Sequence, residues 1–69
     1  MAVSSTEYKV ARDYSIQCVT RVSETGSKSF DILVVFDTLG LVVEEIRGIT
    51  DASVANSHFK RIASKYRGL

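Results

Sequence analysis

The stretch FDILVVFDTLGLVVEE, residues 30–45, reads as two strands joined by a turn, and its first strand is apolar on both faces. Alternate residues of a strand point to opposite sides, so Phe30, Ile32, Val34 and Phe36 form one set while Asp31, Leu33, Val35 and Asp37 form the other. Asp37 and Gly40 take the first and fourth positions of a type I turn, with Gly40 free to adopt the left-handed conformation of a bulge. Cross-strand partners share a face. The turn therefore predicts Asp37 opposite Leu41, Phe36 opposite Val42, Val35 opposite Val43, Leu33 opposite Glu45, Ile32 opposite Ile46 and Asp31 opposite Arg47.

Working upstream, Tyr14 to Val22 alternates in the same way: Tyr14, Ile16, Cys18, Thr20 and Val22 against Ser15, Gln17, Val19 and Arg21. The loop SETGSK leaves the register open, but a one-residue slip would turn every side chain to the wrong face. Keeping even with even puts Val22 by Phe30, Thr20 by Ile32, Cys18 by Val34 and Glu24 by Lys28, and leaves Asp31 between Arg21 and Arg47.

Downstream, TDASVANSHFKRIASKYRG starts at Thr50 or Asp51 as N-cap, ends at Gly68, and sets Ala55, Phe59, Ile62, Ala63 and Tyr66 on one helical stripe. Laid on the even face, it predicts a core of Ile16, Cys18, Ile32, Val34, Phe36, Ile46, Phe59 and Ile62. The expected fold is α+β: a three-stranded antiparallel meander with one C-terminal amphipathic helix on one face, β-β-β-α over residues 13–69. Residues 1–12 have two readings. Ser4 to Glu7 make a capping box with Val3 and Tyr8 as its staple, giving a short helix or arm; alternatively Tyr8 and Val10 continue the first strand backward.

One helix covers one face. Val19, Leu33, Val35, Leu41 and Val43 share the other, with Arg21, Asp31 and Arg47 at its far end. Burying an aliphatic side chain contributes about 1.5–3 kcal/mol, and a chain of this size keeps about 3–5 kcal/mol of net stability, so hiding this set would matter to the whole domain. Three covers are expected: residues 1–12 folded back with Val3, Tyr8 and Val10, a second copy stacked on the patch or added at a sheet edge, or another protein.

Composition narrows the chemistry. The 69 residues carry a net charge of +1, with 45% hydrophobic and 25% charged residues, which fits a folded domain without a global pull toward nucleic acid or anionic lipid. The N-terminus MAVSSTEYKV has neither a basic segment nor an apolar one, so a cytoplasmic protein without membrane contact is expected. One cysteine and one histidine fall short of a disulfide or a zinc site. Cys18 lies on the core face as an inert thiol, His58 has no partner set by spacing, and Glu44 and Glu45 point to opposite faces and cannot act as an acid–base pair. TGSK lacks the glycines and following helix of a phosphate loop. No catalytic residue, cofactor, metal or small-molecule substrate is expected.

The helix HFKRIASKYRG raises a different class of partner. Lys60, Arg61, Lys65 and Arg67, with Tyr66 as a stacking group and Arg21, Lys28 or Arg47 extending the surface, would contact phosphates, although cations near a helix C-terminus also complement its dipole. The order of three strands and a helix resembles the outline of double-stranded RNA-binding domains over about residues 14–67, with VVEEIRGITDASVANSHFKRIA in the place of the third strand and second helix. The resemblance implies lysines at the start of that helix, where this chain has TDASVA. The expectation is a small non-enzymatic binding protein, an accessory or inhibitor protein such as phages encode, acting through the apolar sheet face or an edge, with nucleic acid as the alternative partner.

Overall fold

A computed structural model describes residues 2–68; Met1 and Leu69, the outer limits of the expected arm and domain, lie outside them. The chain runs β1 (Ala2–Ala11), β2 (Tyr14–Val22), β3 (Lys28–Phe36), β4 (Leu41–Ile49) and α1 (Ala52–Arg67). The strands form one antiparallel sheet in the order β1-β2-β3-β4. An α+β meander with a C-terminal helix is what the periodicity predicts, but the sheet has four strands, not three. The capping box at Ser4 is not used: the chain turns at Arg12–Asp13, and residues 2–11 pair back along β2, with Val3 opposite Arg21, Thr6 opposite Cys18 and Tyr8 opposite Ile16. The unpaired N–H and C=O groups of β2 are a template that a short helix would have left empty. A strand here also removes the first helix that the RNA-binding outline requires.

Registers differ from expectation while faces hold. β2 and β3 pair Val22 with Lys28, Thr20 with Phe30, Cys18 with Ile32 and Ile16 with Val34, two residues from the expected alignment. The cause is the loop of residues 23–27. Ser23 N–H donates to the Ser27 carbonyl (2.8 Å), Gly26 N–H to the Ser23 carbonyl (3.0 Å) and Ser27 N–H to Ser23 Oγ (3.1 Å), so Ser23 and Glu24 belong to the loop and Val22, not Glu24, faces Lys28. A two-residue shift is one full pleat, and even positions stay with even positions.

Between β3 and β4, Leu33 faces Glu45 and Ile32 faces Ile46 as expected, but two irregularities flank that segment. Near the turn, Gly40 N–H donates to the Phe36 carbonyl (2.8 Å), so Phe36 rather than Asp37 closes the loop; Phe36 then faces Leu41, Val35 faces Val42, and Val43 is the extra residue. At the other end Phe30 faces Ile49, and Arg47 with Gly48 together oppose Asp31. Gly48 has φ +73°, a conformation that costs other residues about 1–2 kcal/mol, and the extra residue turns Ile49 into the core.

Asp51 caps α1, accepting from the N–H groups of Ser53 (2.8 Å) and Val54 (3.4 Å). Ile62, Ala63 and Tyr66 are buried against Ile16, Ile32, Val34 and Ile49, with Cys18, Phe30, Ile46, Ala55 and Phe59 packed around them. The Tyr66 ring lies 4.9 Å from that of Tyr14, and Tyr8 meets Phe59 edge-on at 5.0 Å. Phe36, expected in the core, is half-buried at its rim against Tyr14.

Candidate functional site

The face opposite α1 has no lid among the described residues: β1 widens the sheet instead of folding over it. The registers lay this face out in rows. Val3, Arg21 and Ser29 form one; Ser5, Val19 and Asp31 the next; then Glu7, Gln17, Leu33 and Glu45; then Lys9, Ser15, Val35 and Val42. The β1–β2 half is therefore polar, and the apolar part lies on β3 and β4 toward the turn.

Of the residues expected on the patch, Leu33 and Val35 are half-buried neighbours on β3, and Val19 sits diagonally from Leu33 beside Asp31. Val43 is exposed at the irregularity and has no partner on β3. Leu41 is corrected: it is exposed, but it pairs with Phe36 and so shares the helix side. Val42, expected beside Phe36, takes its place next to Val35 and is 51% exposed. Leu39, the most exposed large apolar residue among those described at 65%, continues the apolar run into the turn. Reading Phe36 as the closing residue of the turn would have found Val42.

Two polar clusters frame the patch. Asp31 is buried at 3% exposure, where Arg21 bridges it, Arg47 approaches at 3.4 Å and the Gly48 N–H donates at 3.0 Å. Burial pushes the Asp31 carboxyl upward, but the Gly48 N–H, the Arg21 hydrogen bond and the two guanidinium charges outweigh it and hold the group below the ordinary carboxylate range. At the turn end, Asp37 accepts from Lys9 and from buried Ser15 (2.9 Å), and those two bonds depress its carboxyl as well. Glu45 pairs with Arg47 at 3.0 Å on the remaining side. The result is an apolar area with a rim of satisfied charges, the composition of an interaction surface.

The basic residues of α1 do not gather. Lys60, Arg61, Lys65 and Arg67 are exposed, but Lys65 is held by Glu44 at 3.0 Å and Arg61 donates to His58 Nδ1 at 3.2 Å. Arg21 and Arg47, expected to extend this surface, lie on the opposite face at Asp31. A groove of 280 Å³ opens under the first half of α1, lined by Tyr8, Cys18, Thr20, Phe30, Ala55 and Phe59. Burial raises the Cys18 pKa, which keeps its thiol protonated and a poor nucleophile. No group of three or more His, Cys, Asp or Glu side chains able to hold a metal occurs among the described residues, and no helix there is long and apolar enough to cross a membrane. Comparison with family models, curated proteins and solved structures returns no match.

Proposed function

We propose that this chain is a small non-enzymatic binding protein that docks a protein partner on its open sheet face, in an accessory or inhibitory role. The observation that carries this reading is the apolar area formed by Leu33, Val35 and Val42, with exposed Val43 next to them at the irregularity, on a face with no cover among the described residues. Val19 extends it toward Asp31, and Leu39 adds apolar surface at the turn. The rim pairs Lys9–Asp37 and Arg47–Glu45 supply register and orientation, while the apolar centre supplies most of the binding energy.

The test is capture of partners by the immobilised chain, wild type against Leu33→Glu and Val35→Glu, with circular dichroism to show that the variants fold. A buried carboxylate at the centre of such a contact costs several kcal/mol, so retention should fall by about a hundredfold or more. If wild type retains nothing beyond what the folded variants retain, the reading is wrong.

Nucleic acid is the second reading, supported by the exposed cations Lys60, Arg61 and Arg67 on one helix. Less supports it, because Glu44 neutralises Lys65 and the strand arginines face away. It predicts binding to duplex or single-stranded probes that weakens with salt and with Lys60→Glu plus Arg61→Glu. Absence of binding at low salt removes it.

A further inference from the structure

The two edges of the sheet are built differently. The ladder between β3 and β4 is broken on both sides of its central pairs, at Val43 and at Arg47–Gly48. Irregularities of this kind twist an edge away from any added strand. β1 has no such protection over most of its length: Ala2 to Lys9 keep one register with β2, and the only shift falls between Lys9 and Ala11. Every residue from Ala2 to Lys9 is exposed, and Glu7 and Lys9 are the only charges in the strand. In an antiparallel ladder half of the backbone N–H and C=O groups of an edge strand point outward, and β1 has β2 as its single neighbour.

We propose that β1 pairs antiparallel with β1 of a second copy of this chain, joining two four-stranded sheets into one continuous sheet with both helices on the same side. The reading does not depend on what binds the open face. A two-fold axis normal to the sheet keeps Tyr8 on the helix side in both copies only if paired residues share parity, so the axis passes through a residue and not between two. An axis through Glu7 would set Glu7 against itself, and one through Lys9 would set Lys9 against itself. An axis through Thr6 pairs Glu7 with Ser5 and Lys9 with Val3, leaving both charges without an opposite charge in the second copy.

An axis through Tyr8 sets Glu7 opposite Lys9 of the second copy, twice, on the open face, where Lys9 also bonds Asp37 of its own chain, and brings the two Tyr8 rings together on the helix side. Opposite charges directly across a ladder stabilise it and like charges oppose it. That register is regular over Glu7–Lys9 of each chain, within the stretch that keeps one alignment with β2, and ends where the irregularity between Lys9 and Ala11 begins. It also carries the two Leu33–Val35 patches onto one surface, separated by the polar β1–β2 halves, so the dimer presents its docking face twice.

The test is sedimentation velocity on the full chain at up to about 0.1 mM. Wild type is expected to be a dimer. Glu7→Lys and Lys9→Glu, each confirmed as folded, should each weaken self-association by at least about tenfold, because both cross-strand pairs become like-charged. Mixing the two variants in equal amounts should restore a dimer, since each supplies the charge the other lacks, and Leu33→Glu should remain dimeric. A monomeric wild type, a dimer indifferent to both charge reversals, a mixture that stays monomeric, or a dimer abolished by Leu33→Glu overturns the proposal.

Discussion

Asp31 is the residue on which the polar end of the open face depends. It sits in a strand position that would otherwise face water, yet it is buried beneath two arginines and bonded to the backbone of a bulge. Its folded pKa is depressed, so its contribution is fully present above the unfolded carboxylate value, about 3.9, and is lost as pH falls through the folded value. Asp31→Asn should cost about 1–3 kcal/mol at neutral pH, and the gap to wild type should narrow below about pH 4. Urea midpoints at pH 7 and pH 3 read this directly; a gap of constant size would mean that the carboxylate charge contributes nothing.

Gly48 supplies the matching backbone. A Cβ there would meet no heavy atom within 4 Å, so Gly48→Ala tests conformation alone, and a loss of about 1–2 kcal/mol is expected from φ +73°. An unchanged urea midpoint would show that the bulge does not need a left-handed residue. The sequence places a glycine inside a strand here, which is the mark of a bulge, but nothing in the spacing says that Asp31 accepts its N–H.

At the scale of elements, α1 is anchored at its end as well as along its stripe. Tyr66 packs at a tilt against Tyr14 and donates its hydroxyl hydrogen bond to Glu44 at 2.9 Å, with Lys65 on the same oxygen. Lys65 and Tyr66 lower the Glu44 carboxyl, while burial and then Glu44 itself raise the Tyr66 hydroxyl. Tyr66→Phe keeps the ring and removes the bond, with an expected cost of about 1 kcal/mol, seen as a lower urea midpoint at an unchanged slope. A changed slope would point instead to a loosened helix. The helix and its stripe are legible from spacing, since Ile62, Ala63 and Tyr66 recur with the period of a helix. β1 is not: its alternation is weak and its capping box competes, so its state is decided by the open edge of β2.

Over the whole molecule, a one-sided layer of helix on sheet leaves two kinds of unfinished surface, a face and an edge. They separate in experiment. Leu33→Glu should abolish partner capture and leave the dimer, whereas Glu7→Lys should dissolve the dimer and leave each patch able to bind, with apparent affinity reduced wherever the partner is itself multivalent. Capture and sedimentation run on both variants distinguish the two surfaces; a single variant that abolishes both readouts while remaining folded would mean that one surface serves both.

By itself the amino-acid order determined which side chains share a face. The period of two in residues 14–22 and 30–36 assigns Ile16, Ile32 and Val34 to the core and Leu33 and Val35 to the other side, and no shift of register by a full pleat disturbs that. The helix stripe follows from the same kind of local repeat. Tertiary structure alone decided that residues 2–11 form a strand, that β2 and β3 pair two residues away from the expected alignment, and that Val42 and not Leu41 lies beside Val35. Those outcomes depend on which backbone groups find partners: the open edge of β2, the Ser23–Ser27 closure and the Phe36 carbonyl at Gly40. Side-chain periodicity carries no record of those hydrogen bonds, because every residue but proline offers the same N–H and C=O.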